Sequence, residues 1–154
     1  MERQMAKSNI GIAQDLNELV DGFYKEIQSK SDEYQKTNLR LSLVKGKYGK
    51  GQLNEHQQRE INSLETDVKE IRIEIESEIS PFTSQVMPII NELYASSISA
   101  VGAKMIDDVV QLVGYLNNTS LENLDEISRE IMLASSILLR QYQSDEARTP
   151  RVFA

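Results

Sequence analysis

The stretch Ser96–Leu116, SSISAVGAKMIDDVVQLVGYL, is the most apolar run of the sequence and decides the fold class. Its apolar residues recur at the spacing of an α-helix, and small residues fill its first half. Lys104, Asp107 and Asp108 interrupt it, whereas a membrane-spanning helix needs about 20 predominantly apolar residues. At helical spacing Lys104, Asp108 and Gln111 fall on one side. We therefore interpret this stretch as the central helix of an all-α bundle, with one edge exposed to water.

The composition is that of one folded domain with an aliphatic core. The chain has 154 residues, 40% of them apolar, and contains no cysteine and no tryptophan. Disulfides, thiolate metal sites and cysteine nucleophiles are therefore excluded. The net charge of −7 argues against general affinity for nucleic acids or anionic membranes. The first residues lack the apolar segment of a secretory signal, so we expect a cytoplasmic protein.

Apolar residues at intervals of three and four predict four principal helices. Their expected ranges are about 8–45, 54–79, 81–116 and 120–142, within a single domain over 1–143. Three glycines in Gly46–Gln52 predict a flexible connection or a turn with positive φ angles. Asn54 is a good N-cap for the second helix. The last residues, 144–154, lack periodicity and are expected to be extended or disordered.

The prolines shape the predicted third helix. Ser80–Pro81 has the pattern of an N-cap followed by proline at the first helical position. Pro88 then lies too far inside for a regular helix, which predicts a kink or a break there. Short connections make sequential helices antiparallel. The predicted architecture is an elongated antiparallel four-helix bundle built from two helical hairpins that pack together through helices three and four.

Charge is distributed unevenly along the first hairpin. Between Glu33 and Glu55 there are five basic residues and no acidic one, whereas the second helix is rich in acids. Lysines on a glycine-rich loop beside a helix N-terminus suit a phosphate, a nucleotide or an acidic protein segment. The candidate contact residues at this basic tip are Lys36, Arg40, Lys45, Lys47, Tyr48 and Lys50.

A few apolar residues fall outside the helical stripes that would form the core. Leu39 and Leu43 lie one turn apart on the outer side of the first helix, and Ile73 lies about 170° from the seam of the second. Single exposed apolar residues are common in folded proteins. A pair one turn apart beside a basic loop occurs slightly more often than by chance in a docking surface, the alternative being ordinary exposed residues; Leu39, Leu43 and Ile73 form the candidate apolar interface.

Catalytic groups are scarce in this sequence. His56 is the only histidine, and it falls in the polar first turn of the second helix. We expect no enzymatic activity, no metal and no cofactor. The composition favours a protein-interaction or assembly module, such as an adaptor, chaperone, inhibitor or regulatory subunit. Its partner would be another protein, with a second copy of this chain among the candidates.

Two alternatives remain open at this point. The first is binding of an anion, a nucleotide or a nucleic acid through the Lys36–Lys50 tip, which salt would weaken steeply. The second is perturbation of membranes by an amphipathic hairpin, which the small residues of Ser96–Leu116 would allow.

Overall fold

Four α-helices and one short 3-10 turn make up the part of the chain that the structure describes. The computed structural model describes residues 8–49, 51–96 and 100–148. The helices are α1 (Asn9–Tyr48), α2 (Glu55–Ser96), α3 (Ala100–Tyr115) and α4 (Leu121–Arg148), with the 3-10 turn at Leu116–Asn118. The predicted all-α four-helix bundle is confirmed.

The ends of the first hairpin follow from local chemistry. Ser8 caps α1, because its Oγ accepts a hydrogen bond from the backbone N–H of Gly11 at 3.1 Å. Gly49 ends α1 with a φ angle of 69°, which confirms the predicted positive-φ turn. Asn54 caps α2 as predicted: its Oδ1 accepts from the backbone N–H of Gln57 at 2.8 Å. The Gln57 side chain accepts in return from the Asn54 N–H at 3.0 Å.

The predicted helix boundary at Ser80–Pro81 is wrong. α2 runs through both Pro81 and Pro88, so Pro88 belongs to the second helix and breaks no third one. A proline leaves the carbonyl four residues earlier without its helical donor. Those carbonyls belong to Ser77 and Ser84, which are both exposed, so water can satisfy them.

The apolar seam of α2 continues across both prolines and explains why the helix does not stop. Buried residues recur by threes and fours, or their multiples, from one end to the other. They are Ile61, Leu64, Ile71, Ile75, Phe82, Val86, Ile90 and Leu93.

The central element is α1 rather than the Ser96–Leu116 stretch. α1 contacts both α2 and α4 extensively, whereas α3 packs mainly on α4 and touches α2 only slightly. The two hairpins therefore pack together through α1 and α4, and the predicted packing through helices three and four is wrong. At this contact the Asn17 side chain donates to Ser135 Oγ at 3.1 Å and to Ser136 Oγ at 2.9 Å.

α3 and α4 also differ from their predicted limits. α3 begins at Ala100, and residues 97–99 of the apolar stretch lie outside the described residues. Its expected wet edge is confirmed, because residues 104, 107, 108 and 111 are exposed while Ile106 and Val109 are buried. α4 continues to Arg148, so residues 144–148, which we expected to be extended, are helical; residues 149–154 lie outside the described part.

The core divides the molecule into a body and an arm. The body core draws buried residues from all four helices, including the stacked rings of Phe23 and Phe82, whose centroids are 3.9 Å apart. A second, smaller cluster contains Leu41, Ile61 and Leu64 and lies between α1 and α2 alone. We call residues 32–48 of α1, residues 55–70 of α2 and the loop between them the arm.

The arm extends beyond the reach of α3 and α4. The turn between α3 and α4 lies beside residues 76–80 of α2, where Leu116, Asn117 and Thr119 line a shallow groove with them. The part of α2 before that level pairs only with α1. A helix gains about 1.5 Å per residue, so the arm is about 25 Å long.

Candidate functional site

The predicted basic tip divides into residues used by the fold and residues left exposed. Lys45 Nζ lies 3.2 Å from a carboxylate oxygen of Glu65 on α2. Tyr48 donates a hydrogen bond from its hydroxyl to the Glu60 carboxylate, and this bond is the main reason that the pKa of Tyr48 is raised. Lys45 and Tyr48 therefore join α1 to α2 at the end of the arm.

Other members of the predicted tip share one outer face of α1. Lys36, Arg40 and Lys47 are exposed and lie within about 40° of each other around α1, at about 100° per residue. Lys47 Nζ also lies 5.9 Å from the centroid of the neighbouring Tyr48 ring, at the outer limit of a cation–π contact. Lys50 lies outside the described residues.

The two leucines of the predicted apolar interface lie on this same face. Leu39 is 61% exposed and Leu43 is 64% exposed. They are one turn apart and alternate with the three basic residues along about 16 Å of helix. The structure thus merges two candidate sites, predicted separately, into one surface. We call Lys36, Leu39, Arg40, Leu43 and Lys47 the basic stripe.

Ile73 does not belong to this surface. Two ion pairs fix the register of α1 against α2: Lys30–Glu78 at 3.1 Å and Lys45–Glu65 at 3.2 Å. Ile73, 55% exposed, lies between these levels but points away from the seam on α2. It is therefore on the opposite side of the α1–α2 hairpin from the basic stripe.

The glycine-rich loop offers fewer free donors than its sequence suggests. Reciprocal bonds between Asn54 and Gln57 occupy part of the N-terminus of α2, where an anion would otherwise find unpaired N–H groups. His56, in the first turn of α2, is exposed. The anion-binding alternative stays a prediction, and Lys36, Arg40 and Lys47 would have to carry it.

A groove on the body was not predicted from the sequence. It lies between α1 and α2, has a volume of about 420 Å³, and carries Glu18, Glu26 and Glu78 on its rim. Gly22 lines the groove, and a methyl group added there would meet nothing within 4 Å. The groove is therefore open at this position. Pro81 lines its α2 side. The sequence predicted the end of a helix at this proline, and a groove between two continuous helices was therefore not expected there.

Glu78, on the rim of this groove, also pairs with Lys30 of α1. Lys30 donates to its Oε1 at 3.1 Å, and the Lys30 side chain is half-buried. That hydrogen bond is the largest of the effects that raise the pKa of Lys30. Glu18 and Glu26 are exposed, and the charge of Glu26 also contributes to the raised pKa of Lys30.

Two searches bear on the chemistry of the described residues. Within residues 8–49, 51–96 and 100–148, no three His, Asp or Glu side chains are grouped so that they could hold a metal ion. Over the same ranges, no helix combines the length and the apolar character needed to cross a membrane. Comparison of the chain with protein-family models, with curated proteins and with solved structures found no match.

Proposed function

We propose that this chain is a non-enzymatic protein-interaction module that uses the basic stripe to bind an acidic surface. The observation that carries the proposal is that two exposed leucines and three exposed bases share one face of the arm. None of the five side chains contributes to either buried cluster of the described residues. The module would act as an adaptor, chaperone, inhibitor or regulatory subunit. The proposal also includes a cytoplasmic location.

The composition of the stripe specifies what it would bind. Burial of an exposed leucine side chain is worth about 1.5–3 kcal/mol, so Leu39 and Leu43 supply an apolar centre for a contact. Lys36, Arg40 and Lys47 surround that centre and favour a partner with carboxylates at matching positions. Rim charges of this kind raise the association rate and select among partners.

The arm also presents the stripe in a suitable form. α1 is continuous from the body to Tyr48, so a packed scaffold holds the stripe on a regular helix. Contacts with α2 through Leu41 and through the Lys45–Glu65 pair fix which face of α1 points outward. A partner would therefore meet a surface that is already formed, which lowers the entropy cost of binding.

The test is affinity capture with three forms of the full chain, followed by identification of the bound proteins. Lys36→Glu/Arg40→Glu/Lys47→Glu reverses the charge of the stripe. Lys69→Glu/Ile73→Glu is the control, because it adds negative charge on the opposite side of the α1–α2 hairpin; it changes the net charge by −3, against −6 for the stripe variant. We expect a partner with an acidic surface that the stripe variant binds at least about tenfold more weakly, or about 1.4 kcal/mol, and that the control binds unchanged.

A third variant separates this proposal from anion or nucleic-acid binding. Leu39→Gln/Leu43→Gln keeps the charges of the stripe and removes its apolar centre. Binding to a protein partner should fall with this variant. Binding to a short oligonucleotide or to inorganic phosphate depends on the three bases alone, so retention of such binding would support the alternative and contradict the proposal.

A further inference from the structure

The outer face of α1 carries basic residues in the arm and acidic residues in the body. Glu18 and Gly22 in the body lie within about 60° of the basic stripe residues Lys36, Arg40 and Lys47, at about 100° per residue. The face is therefore one continuous strip. The basic half lies in the arm, and the other half lies beside the groove in the body.

The body half of this strip is acidic. Five carboxylates occur in α1 between residues 18 and 33, against two lysines. Both lysines are already paired: Lys25 with Asp21 at 2.9 Å, and Lys30 with Glu78 at 3.1 Å. Glu18 on the rim of the groove thus meets no positive charge within the described chain, whereas Glu26 is already attracted to Lys30.

We propose that the acidic surface bound by the basic stripe is the acidic half of the same face on a second copy of this chain. The inference rests on the function proposed above and names its partner. Two copies of α1 would lie antiparallel, related by a two-fold axis near residue 32. The Lys47 side chain of one copy would then be level with Glu18 of the other, and Leu43 level with Gly22, where the groove is open.

Symmetry makes this arrangement closed. Each copy offers one basic half and one acidic half, so both contacts form in the same pair and no free half remains. The charge pattern therefore specifies a dimer rather than a chain of molecules.

The size of the contact indicates how stable the dimer would be. The strip from Glu18 to Lys47 is about 44 Å long, and at a width of about 10 Å the two copies would bury about 900 Å² in total. That is below the usual size of a stable protein interface, about 1,200–2,000 Å². Asp32 and Glu33 near the axis repel their own copies, and in this register Arg40 is level with Lys25 of the other copy. We therefore expect a dimer that dissociates on dilution and in high salt.

The experiment is a charge exchange measured by sedimentation equilibrium of the full chain at low and high salt. The arm variant is Lys36→Glu/Arg40→Glu/Lys47→Glu, and the body variant is Glu18→Lys/Glu26→Lys. We expect the unaltered chain to dimerise at low salt and each variant alone to be a monomer. A mixture of the two variants should form a heterodimer, because each acidic half again meets a basic half.

Controls keep the result independent of folding. Lys69→Glu/Ile73→Glu should dimerise like the unaltered chain, and circular dichroism should show that every variant keeps its helices. A third check combines the arm and body changes in one chain, which exchanges the two halves and should restore the dimer. Failure of both the mixture and the combined variant to dimerise would overturn the inference.

The outcomes distinguish this inference from the proposed function. If the unaltered chain is a monomer at every concentration and salt, while the arm variant still loses an acidic partner, the inference fails and the proposed function stands. If the arm variant abolishes the dimer but the body variant does not, the second copy binds through another surface, and the inference fails. If the arm variant changes neither self-association nor capture, both are wrong.

Discussion

The body and the arm are built from the same two helices, yet they differ in how many neighbours each helix has. In the body α1 is flanked by α2 and α4, and seven of its residues between Ile12 and Ser31 are buried. In the arm α1 has α2 alone, and Leu41 is its one buried residue. More than half of the helix surface in the arm is therefore open to solvent.

This difference decides how an exposed apolar residue should be interpreted. Leu133 and Ile137 are exposed on α4, a helix whose other faces pack against α1 and α3. Leu39 and Leu43 are exposed where nothing covers α1, and basic residues surround them. A surface free of packing constraints can change without loss of the fold.

The largest expected change in unfolding free energy comes from truncating one buried leucine in the body and one in the arm. Leu16 is fully buried in the body core, so Leu16→Ala should cost about 2–5 kcal/mol of unfolding free energy. Leu41→Ala should cost less, about 1–2 kcal/mol, because the arm can open locally while the body stays folded. Urea unfolding followed by circular dichroism measures both. Equal losses would show that body and arm unfold as one unit.

A smaller effect is expected at the contact between α1 and α4. Asn17→Ala removes two hydrogen bonds to Ser135 and Ser136 and should cost about 1–2 kcal/mol. Asn38→Ala is the matched control, since Asn38 is exposed on the arm part of the same helix and should change stability by less than about 0.5 kcal/mol. Thermal unfolding of the two variants compares them. A similar loss at Asn38 would mean that the arm is covered.

The smallest effect concerns two tyrosines in alkaline solution. Burial, followed by a hydrogen bond to Asp107, raises the pKa of Tyr94 in the body from 10.0 to about 12. In the arm, the bond to Glu60 is the first cause of the raised pKa of Tyr48. The folded state keeps the Tyr94 proton where the unfolded chain loses it. This contribution to stability is complete below pH 10 and is lost as the pH rises to about 12.

Ultraviolet absorbance titration measures that ionisation directly. We expect Tyr94→Phe to remove a tyrosinate transition near pH 12 and Tyr48→Phe to leave it in place. If the transition near pH 12 survives in Tyr94→Phe, the contact between Tyr94 and Asp107 does not hold the proton.

The sequence was sufficient for the number of helices and for the extent of α1, and insufficient for the boundary between α2 and α3 and for the order of packing. The seam from Ile61 to Ile75 and the cap at Asn54 depend on local spacing, and the structure has them where they were expected. Ser80–Pro81 failed because its local pattern is the same at a helix start and in a helix whose proline faces water. What decided between them was the seam beyond it, from Phe82 to Leu93.

The two sets of candidate residues were predicted separately, although helical spacing alone already joins five of them. Lys36, Leu39, Arg40, Leu43 and Lys47 are spaced so that they must share a face of any regular helix. Which bases remain free depended on partners from α2, such as Glu65 for Lys45, and one-dimensional spacing does not show these. The acidic groove required Pro81 to lie inside α2, so it could not be reached from the sequence.

The continuity of α1 has a mechanical consequence. One uninterrupted rod of 40 residues passes from the contact with α4 to the far end of the arm. Tilting the rod by about 10° about the junction would move the end of a 25 Å arm by about 4 Å. The arm thus acts as a lever, and a load on the basic stripe becomes torque at the Asn17 contact in the body.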